Sequence, residues 1–323
     1  LETHGTWDPI VDGRWPVEAA VPGDNPQWLP AILDRAESML ERDKNHPSIV
    51  MWSSGNESYG GSNLQKVADY FRESDPTRLV HYEGISWDRR YPGSSDVESQ
   101  MYTPVAKVQE FLQEHRDKPF ILCEFAHAMG NSFGAVDKYV ELAYQDPLYQ
   151  GGFIWDFADQ AVWINGDNGN GYFAFGGESG ESPNDGAFCG NGIVFADRTP
   201  KPMYQELKHL YQGLKITVDE SSFRVENRYL STPSSDFKCV ATLSKAGMLI
   251  AEGRVVTDVL PGHSETYKLP FTVPTDPGEY VIDVSFRLKE DTRWARTDFE
   301  VAYAQDVVVR PGAKLTPNSR SIL

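Results

Sequence analysis

Two glutamates stand where short apolar runs give way to loops. Glu57 follows Ile49-Val-Met-Trp52 and the link Ser53-Ser-Gly-Asn56, and Glu124 follows Pro119-Phe-Ile-Leu-Cys123. Each run reads as a buried strand. An ionisable group at the carboxyl end of such a strand stands where a parallel α/β barrel does its chemistry. Two carboxylates are also the minimum equipment for splitting a glycosidic bond, one to protonate the leaving oxygen and one to attack the sugar or activate water. The 67 residues separating them (124 − 57) are enough for three strand–helix units. Strand ends three steps apart on an eight-stranded barrel can face one another across its mouth. Double displacement would need the two carboxylates roughly 5 Å apart.

The neighbouring residues sharpen this. Trp52, Asn56, Tyr59 and Gly60-Gly61 surround Glu57, and Asn56 could hold a sugar 2-hydroxyl. The plain alternative is a solvated carboxylate ahead of a helix. Glu124 opens Glu124-Phe-Ala-His127-Ala-Met-Gly-Asn131. Its alternative is a structural ion pair, but the preceding strand offers no basic neighbour. Glu2 and His4 would project to one side of an extended segment and could reach one cation, with donors that suit Mg²⁺ or Mn²⁺. A surface pair is the default for that spacing alone. Trp155 closes Gly151-Gly-Phe-Ile and is either core or a platform for a sugar's C–H face. The glycine-rich stretch 165–180 lacks the GxxxxGK[ST] pattern and is no phosphate loop.

Residues 1–212 alternate strand-like and helix-like segments. Leu29, Ile32, Leu33, Ala36, Met39 and Leu40 share one helical face. Ser62-Asn-Leu-Gln65 is a capping-box pattern opening a helix that Asp75-Pro76 closes. Thr103-Pro104 supplies an N-cap and a first-turn proline for the next helix. Five strands are expected near residues 49, 79, 98, 120 and 152, forming a parallel sheet covered by helices. From residue 213 the period becomes two: Tyr280, Ile282, Val284, Phe286 and Leu288 alternate with mostly polar residues. Seven short strands between turn signals such as Lys245-Ala-Gly247 and Asp276-Pro-Gly278 predict an antiparallel β-sandwich over 213–305. Residues 306–323 are expected to be a tail.

Lys and Arg total 30 against 47 Asp and Glu, a net charge of −17, which argues against nucleic-acid binding, since phosphate contacts need a basic face. No apolar run approaches the roughly 20 residues of a membrane helix. Cys123, Cys189 and Cys239 form neither a disulfide framework nor a zinc site and suit a reducing cytoplasm.

Taken together, Glu2-Thr-His4-Gly, Arg42-Asp-Lys-Asn-His46-Pro-Ser, Gly55-Asn-Glu57-Ser, Cys123-Glu-Phe-Ala-His-Ala-Met-Gly-Asn131-Ser, Gly151-Gly-Phe-Ile-Trp155-Asp and Phe195-Ala-Asp-Arg-Thr-Pro200 resemble the family 2 β-galactosidases. The resemblance runs in order through residues 1–212. It implies the C-terminal part, about strands 4–8, of a TIM barrel followed by an immunoglobulin-like sandwich. It also implies hydrolysis of terminal β-galactosides such as lactose with retention, with transgalactosylation when a second sugar replaces water. Glu124 would be the nucleophile and Glu57 the acid/base. Glu2, His4 and Glu57 would hold Mg²⁺, the Phe188 carbonyl and Asn191 would hold Na⁺, and Asn184 would belong to a second Mg²⁺ site. Tyr102 would sit beside the nucleophile, His127 would bind a galactosyl hydroxyl, and Trp155 would be the sugar platform.

Members of that family carry further domains and the opening barrel strands ahead of this point. The C-terminal end of the chain resembles that of the large subunit in two-chain enzymes of lactic acid bacteria, which a small subunit completes. The expectation is a C-terminal half whose sheet edges are raw, inactive alone and oligomeric. The competing readings are a glucuronidase or mannosidase of the same family, and a carbohydrate-binding or assembly module without catalysis.

Overall fold

In a computed structural model that describes residues 20–166 and 170–312, the chain divides into residues 1–205 and 206–323. The division falls earlier than the expected boundary at 212/213.

The first unit is built from strand–helix repeats. Helix α1 (Leu29–Asp43) turns Ile32, Ala36 and Leu40 inward. Strand β1 (Met51–Ser53) follows, then helix α2 (Ser62–Ser74) and strand β2 (Leu79–His81), parallel to β1. Trp52, Val67, Ala68, Phe71 and Val80 join the inward face of α1 in one core. Asp75 does more than end α2. Its carboxylate accepts from Trp52 Nε1 at 2.9 Å, from Thr77, and from Arg78 at 2.5 Å, while the Arg78 guanidinium lies over the Trp52 ring.

The expected capping box does not form. Gly61 is the N-cap, at φ 107°, and the Ser62 N–H donates to Asp24 Oδ1 at 2.6 Å. A Cβ on Gly61 would lie 2.3 Å from the Gly23 backbone, so the close approach of two backbones replaces the side-chain cap. Pro104 likewise occupies the N-cap position itself, and Thr103 donates to Gln100 Oε1 instead.

Strands β3 (Glu98–Met101), β4 (Phe120–Phe125) and β5 (Tyr149–Ile154) form a parallel three-stranded sheet, with helices α3 (Val105–Glu114) and α4 (Val136–Gln145) between them in sequence. All five expected strands are present, but they make two ladders, β1–β2 and β3–β4–β5. Between β2 and β3 the Asp96 side chain takes a ladder position. Val80 N–H donates to Asp96 Oδ2 at 2.7 Å, Asp96 N–H donates to the Val80 carbonyl at 2.8 Å, and Arg72 holds the other carboxylate oxygen. His81 bridges the same gap, hydrogen-bonded to Ser53 Oγ at 2.9 Å and Ser99 Oγ at 2.8 Å. Hairpin β6 (Val162–Asn165) and β7 (Gly171–Ala174) follows. Helix α5 (Met203–Leu210) spans the division between the units.

In the second unit, β8 (Leu214–Val218), β9 (Ser222–Asn227) and β12 (Ser264–Lys268) form one antiparallel sheet in the order β12-β9-β8. β10 (Phe237–Lys245), β11 (Met248–Val255), β13 (Gly278–Leu288) and β14 (Glu300–Arg310) form another in the order β11-β10-β13-β14. Their inward faces share one core containing Ile216, Phe223, Val225, Leu243, Tyr280, Ile282, Val284 and Phe286, the arrangement of a β-sandwich. Ala246 and Gly247, at φ 51° and 77°, make the two-residue turn between β10 and β11, where both central positions need φ above zero. β14 runs to Arg310, past the expected end at 305, because Asp306 to Arg310 keep pairing with Ile282 to Gly278. The rest of the expected tail, 313–323, lies outside the described residues. Among the described residues no helix is long and apolar enough to cross a membrane.

Candidate active site

Glu57 follows strand β1 and Glu124 lies near the end of β4, each placed by a different local device. Glu124 lies within β4, opposite Met101 of β3, and the β3–β4 register shifts between Gln100 and Met101. A bulge there re-aims the residues that follow. Glu124 is 8% exposed, and its Oε2 accepts a 2.6 Å hydrogen bond from the Tyr102 hydroxyl. The Tyr102 N–H donates to the Glu124 carbonyl at 2.8 Å, with Tyr102 in the left-handed region at φ 52°. Burial first, then the bond to Glu124 and the charges of Glu124 and Glu57, push the Tyr102 phenol far above its usual range. The phenol therefore stays a donor.

Glu57 reaches its place by backbone conformation. The loop after β1 puts Glu57 at φ 47° and Tyr59 at φ 57°. Asn56 precedes them, partly buried, and its carbonyl accepts from Ser58 Oγ at 3.0 Å. This loop is packed against the segment after β2. A Cβ on Gly60 would meet Asp88 at 2.3 Å and one on Gly84 would meet the Tyr59 carbonyl at 2.2 Å. The Gly61 N–H donates to Asp88 Oδ2 at 2.9 Å.

A third carboxyl, absent from the sequence reading, belongs to this group. Glu83 follows β2 in a 3-10 turn (Glu83–Ser86), is 1% exposed, and accepts the Glu57 N–H through Oε1 at 2.5 Å. Burial pushes its carboxyl up to about 7. The Glu57 N–H pulls the other way, and the charges of Glu57 and Glu124 add to the rise. The signal was available: Tyr82-Glu83-Gly84 meets the same test, an acid at the carboxyl end of an apolar run, that singled out Glu57 and Glu124.

His127 and Trp155 come in on neighbouring segments. Ala126 is at φ 51°, Trp155 N–H donates to the Phe125 carbonyl at 3.0 Å, and Ala128 N–H donates to the Trp155 carbonyl at 2.8 Å. The His127 ring lies 5.9 Å from that of Tyr102 and 5.6 Å from that of Phe188. Asn191, 2% exposed, stands behind Trp155. Its amide lies between the Cys189 carbonyl and the Trp155 indole N–H, and with its nitrogen toward Cys189 it makes both hydrogen bonds at 3.2 Å. The Asn191 carbonyl also accepts from Asp156 N–H at 2.8 Å. A chain of contacts within one unit thus links Glu124, Tyr102, His127, Phe188, Trp155 and Asn191, while Glu57 is held in the same unit through its N–H on Glu83.

The expected metal ligands fall differently. Glu2 and His4 lie outside the described residues. Asn184 is exposed and occupied locally, donating to the Glu181 carbonyl at 3.0 Å and accepting from Gly186 N–H at 3.1 Å. Phe188 lies in a short turn (Gly186–Cys189) close to Asn191 in sequence. Among the described residues no three His, Cys, Asp or Glu side chains are disposed to hold a metal ion.

Comparison with known proteins bears on this geometry. Residues 1–216 match the family "Glycosyl hydrolases family 2, TIM barrel domain", and residues 223–308 match "Beta-galactosidase, domain 4". A beta-galactosidase of Priestia megaterium is 46% identical over 314 residues, covering 95% of this chain and 30% of that protein. One of Lactobacillus delbrueckii subsp. bulgaricus is 44% identical over 309 residues, covering 95% and 30%. A beta-galactosidase large subunit of Leuconostoc lactis is 46% identical over 213 residues, covering 65% and 34%. The chain thus spans about a third of the length of these relatives. The family match covers more than half of the chain and takes in every site residue above, and so the chain belongs to glycosyl hydrolase family 2.

Proposed function

We propose that this chain carries the two catalytic carboxylates of a retaining β-galactosidase. The observation that carries the reading is the 2.6 Å hydrogen bond from the Tyr102 hydroxyl to Glu124, with the Glu57 charge a lesser contributor to the raised Tyr102 phenol. An exposed face of Tyr102 leaves room for a sugar there. The relatives named beta-galactosidase support the choice of galactoside.

In this reading Glu124 attacks the anomeric carbon. The C1–O bond to the leaving group breaks, and Glu57 gives its proton to the departing oxygen. Glu57 then takes a proton from water, whose oxygen displaces Glu124 from C1 and releases galactose. A sugar hydroxyl in place of water gives transgalactosylation. The Tyr102 hydroxyl holds Glu124 in one rotamer and stabilises its charge before attack and on release. Asn56 bonds the 2-hydroxyl, His127 another galactosyl hydroxyl, and Trp155 underlies the ring.

Mg²⁺ and Na⁺ are the cations this reading implies. Carboxylate oxygen is the donor Mg²⁺ favours, so Glu57 with Glu2 and His4 would hold it, supplying fixed positive charge beside the acid/base. Asn184 is the residue we assign to a second Mg²⁺. Were the Asn191 amide turned with its oxygen toward the Cys189 carbonyl, oxygen would face oxygen, an orientation that a hard cation such as Na⁺ would hold, with the Phe188 carbonyl as a further donor.

The strands β1 to β5 would be strands 4–8 of an eight-stranded barrel, and the second unit an immunoglobulin-like sandwich. We assign the activity to the enzyme of which these residues form part, oligomeric and completed by the remaining large-subunit domains and a small subunit. The three thiols are free and suit a cytoplasmic enzyme. The test is hydrolysis of nitrophenyl β-galactoside, β-glucuronide and β-mannoside with Mg²⁺ present, by the chain alone and by the chain joined to the regions of the Priestia megaterium relative outside the match. Galactoside turnover by the joined protein, lost in Glu124→Gln, is expected. Turnover of another glycoside only, or binding of galactose without turnover, would overturn the reading.

A further inference from the structure

Glu57 holds a backbone conformation that a residue with a Cβ adopts only when its surroundings impose it. Its N–H has one partner that spans the two loops, Oε1 of Glu83 at 2.5 Å, 26 residues away in sequence. Glu83 is held in turn: it is 1% exposed, and the Ser86 hydroxyl donates to its carbonyl at 2.9 Å. The loops after β1 and β2 interlock on either side of it, Gly84 against the Tyr59 carbonyl and Gly60 against Asp88. The other oxygen, Oε2, is buried and has no hydrogen-bond partner among the described residues. Burying a carboxyl with one oxygen unsatisfied is unfavourable. A leucine would fill the same space at no such cost, so packing does not account for the acid.

We propose that Glu83 is a positioning residue: its buried carboxyl pins the Glu57 backbone in the left-handed conformation that aims the acid/base carboxylate at the glycosidic oxygen. This rests on the assignment of Glu57 as the general acid/base. Glu83 touches no reacting atom and acts through the Glu57 N–H.

The test has two arms, so that failure of this inference and failure of the proposed activity can be told apart. The first uses the chain itself. Hydrogen exchange of the Glu57 amide is followed in Glu83→Leu, or in Glu83→Met should the leucine variant not fold. Exchange should rise about tenfold with the lost hydrogen bond, be restored in large part by Glu83→Gln, and leave β10 and β13 unchanged. An amide as protected in Glu83→Leu as in the parent overturns the proposal.

The second arm uses the joined enzyme and aryl galactosides of graded leaving-group acidity. Misplacing a general acid by about an ångström costs on the order of a hundredfold. Glu83→Leu should therefore lose about that much kcat for poor leaving groups and little for dinitrophenyl, with KM unchanged. An equal loss across all leaving groups overturns the proposal. An inactive joined enzyme defeats the galactosidase reading, and the exchange arm still decides whether Glu83 pins Glu57.

Discussion

Tyr102 grips Glu124 at both ends: its hydroxyl donates to the carboxylate at 2.6 Å and its N–H donates to the carbonyl at 2.8 Å. Only the first of these bonds depends on the side chain. Tyr102→Phe should therefore keep the fold and lose the bond to the charged oxygen. Hydrogen bonds to charged groups contribute about 1.5–3 kcal/mol, so kcat of the joined enzyme should fall about 10- to 100-fold. Turnover set beside a urea melt checks this; a melt shifted as much as the rate would assign Tyr102 a structural role instead.

The two glutamates should fail in different ways. Glu124→Gln should abolish turnover. Glu57→Gln should lose about 10²–10⁴-fold, mostly with leaving groups that need a proton. A galactosyl fluoride bearing fluorine in place of the 2-hydroxyl slows release of the sugar. Mass spectrometry should then find the adduct on the peptide containing Phe120–Phe125, and an adduct on the Glu57 peptide would reverse the roles.

Asp75 is the keystone between β1 and β2. Hydrogen bonds from Thr77, Trp52 and Arg78, in that order of weight, hold its carboxyl well below the usual carboxylate range. Asp75→Ala strips all three donors and leaves the Arg78 guanidinium, 17% exposed, beside an empty place. Such losses cost about 3–5 kcal/mol. Urea unfolding of the first unit should show a drop of that order, with the sandwich unaffected.

His81 makes the first unit sensitive to mild acid. Burial holds its imidazole down at about 4, below the roughly 6.5 of an unfolded histidine. The neutral ring is the folded form, so its contribution is complete above about 6.5 and is lost as the pH falls toward 4. The loss is on the order of 3 kcal/mol. Glu83, pushed up to about 7, titrates with the opposite sign, stabilising most below about 4.5 and least above 7. The measurement is therefore the difference between parent and His81→Asn. The stability gap between them should narrow as the pH falls from 7 to 4.5, and a constant gap would sink the assignment.

In the second unit, Ala246 occupies φ 51° in a two-residue hairpin turn where asparagine is favoured ahead of glycine. Ala246→Asn should raise stability by about 0.5–1 kcal/mol, read from the thermal midpoint of the sandwich.

Much of the architecture is written in local periodicity. The helical spacing of Ile32, Ala36 and Leu40 and the alternation of Tyr280, Ile282, Val284 and Phe286 place α1 and β13 without reference to anything distant, because the side-chain period follows from backbone geometry alone. The position of Glu57 and Glu124 after apolar runs was legible for the same reason. Tertiary structure decided what depends on residues far apart in sequence. It set the Asp96 side chain into the break between β2 and β3, Gly23 against Gly61 in place of a capping box, the Asn191 amide behind Trp155, and the Glu83 carboxyl on the Glu57 N–H. Apart from the glycine contact, each is a polar group removed from water that had to find a partner elsewhere in the folded unit, and no pattern within a short window of sequence names these neighbours.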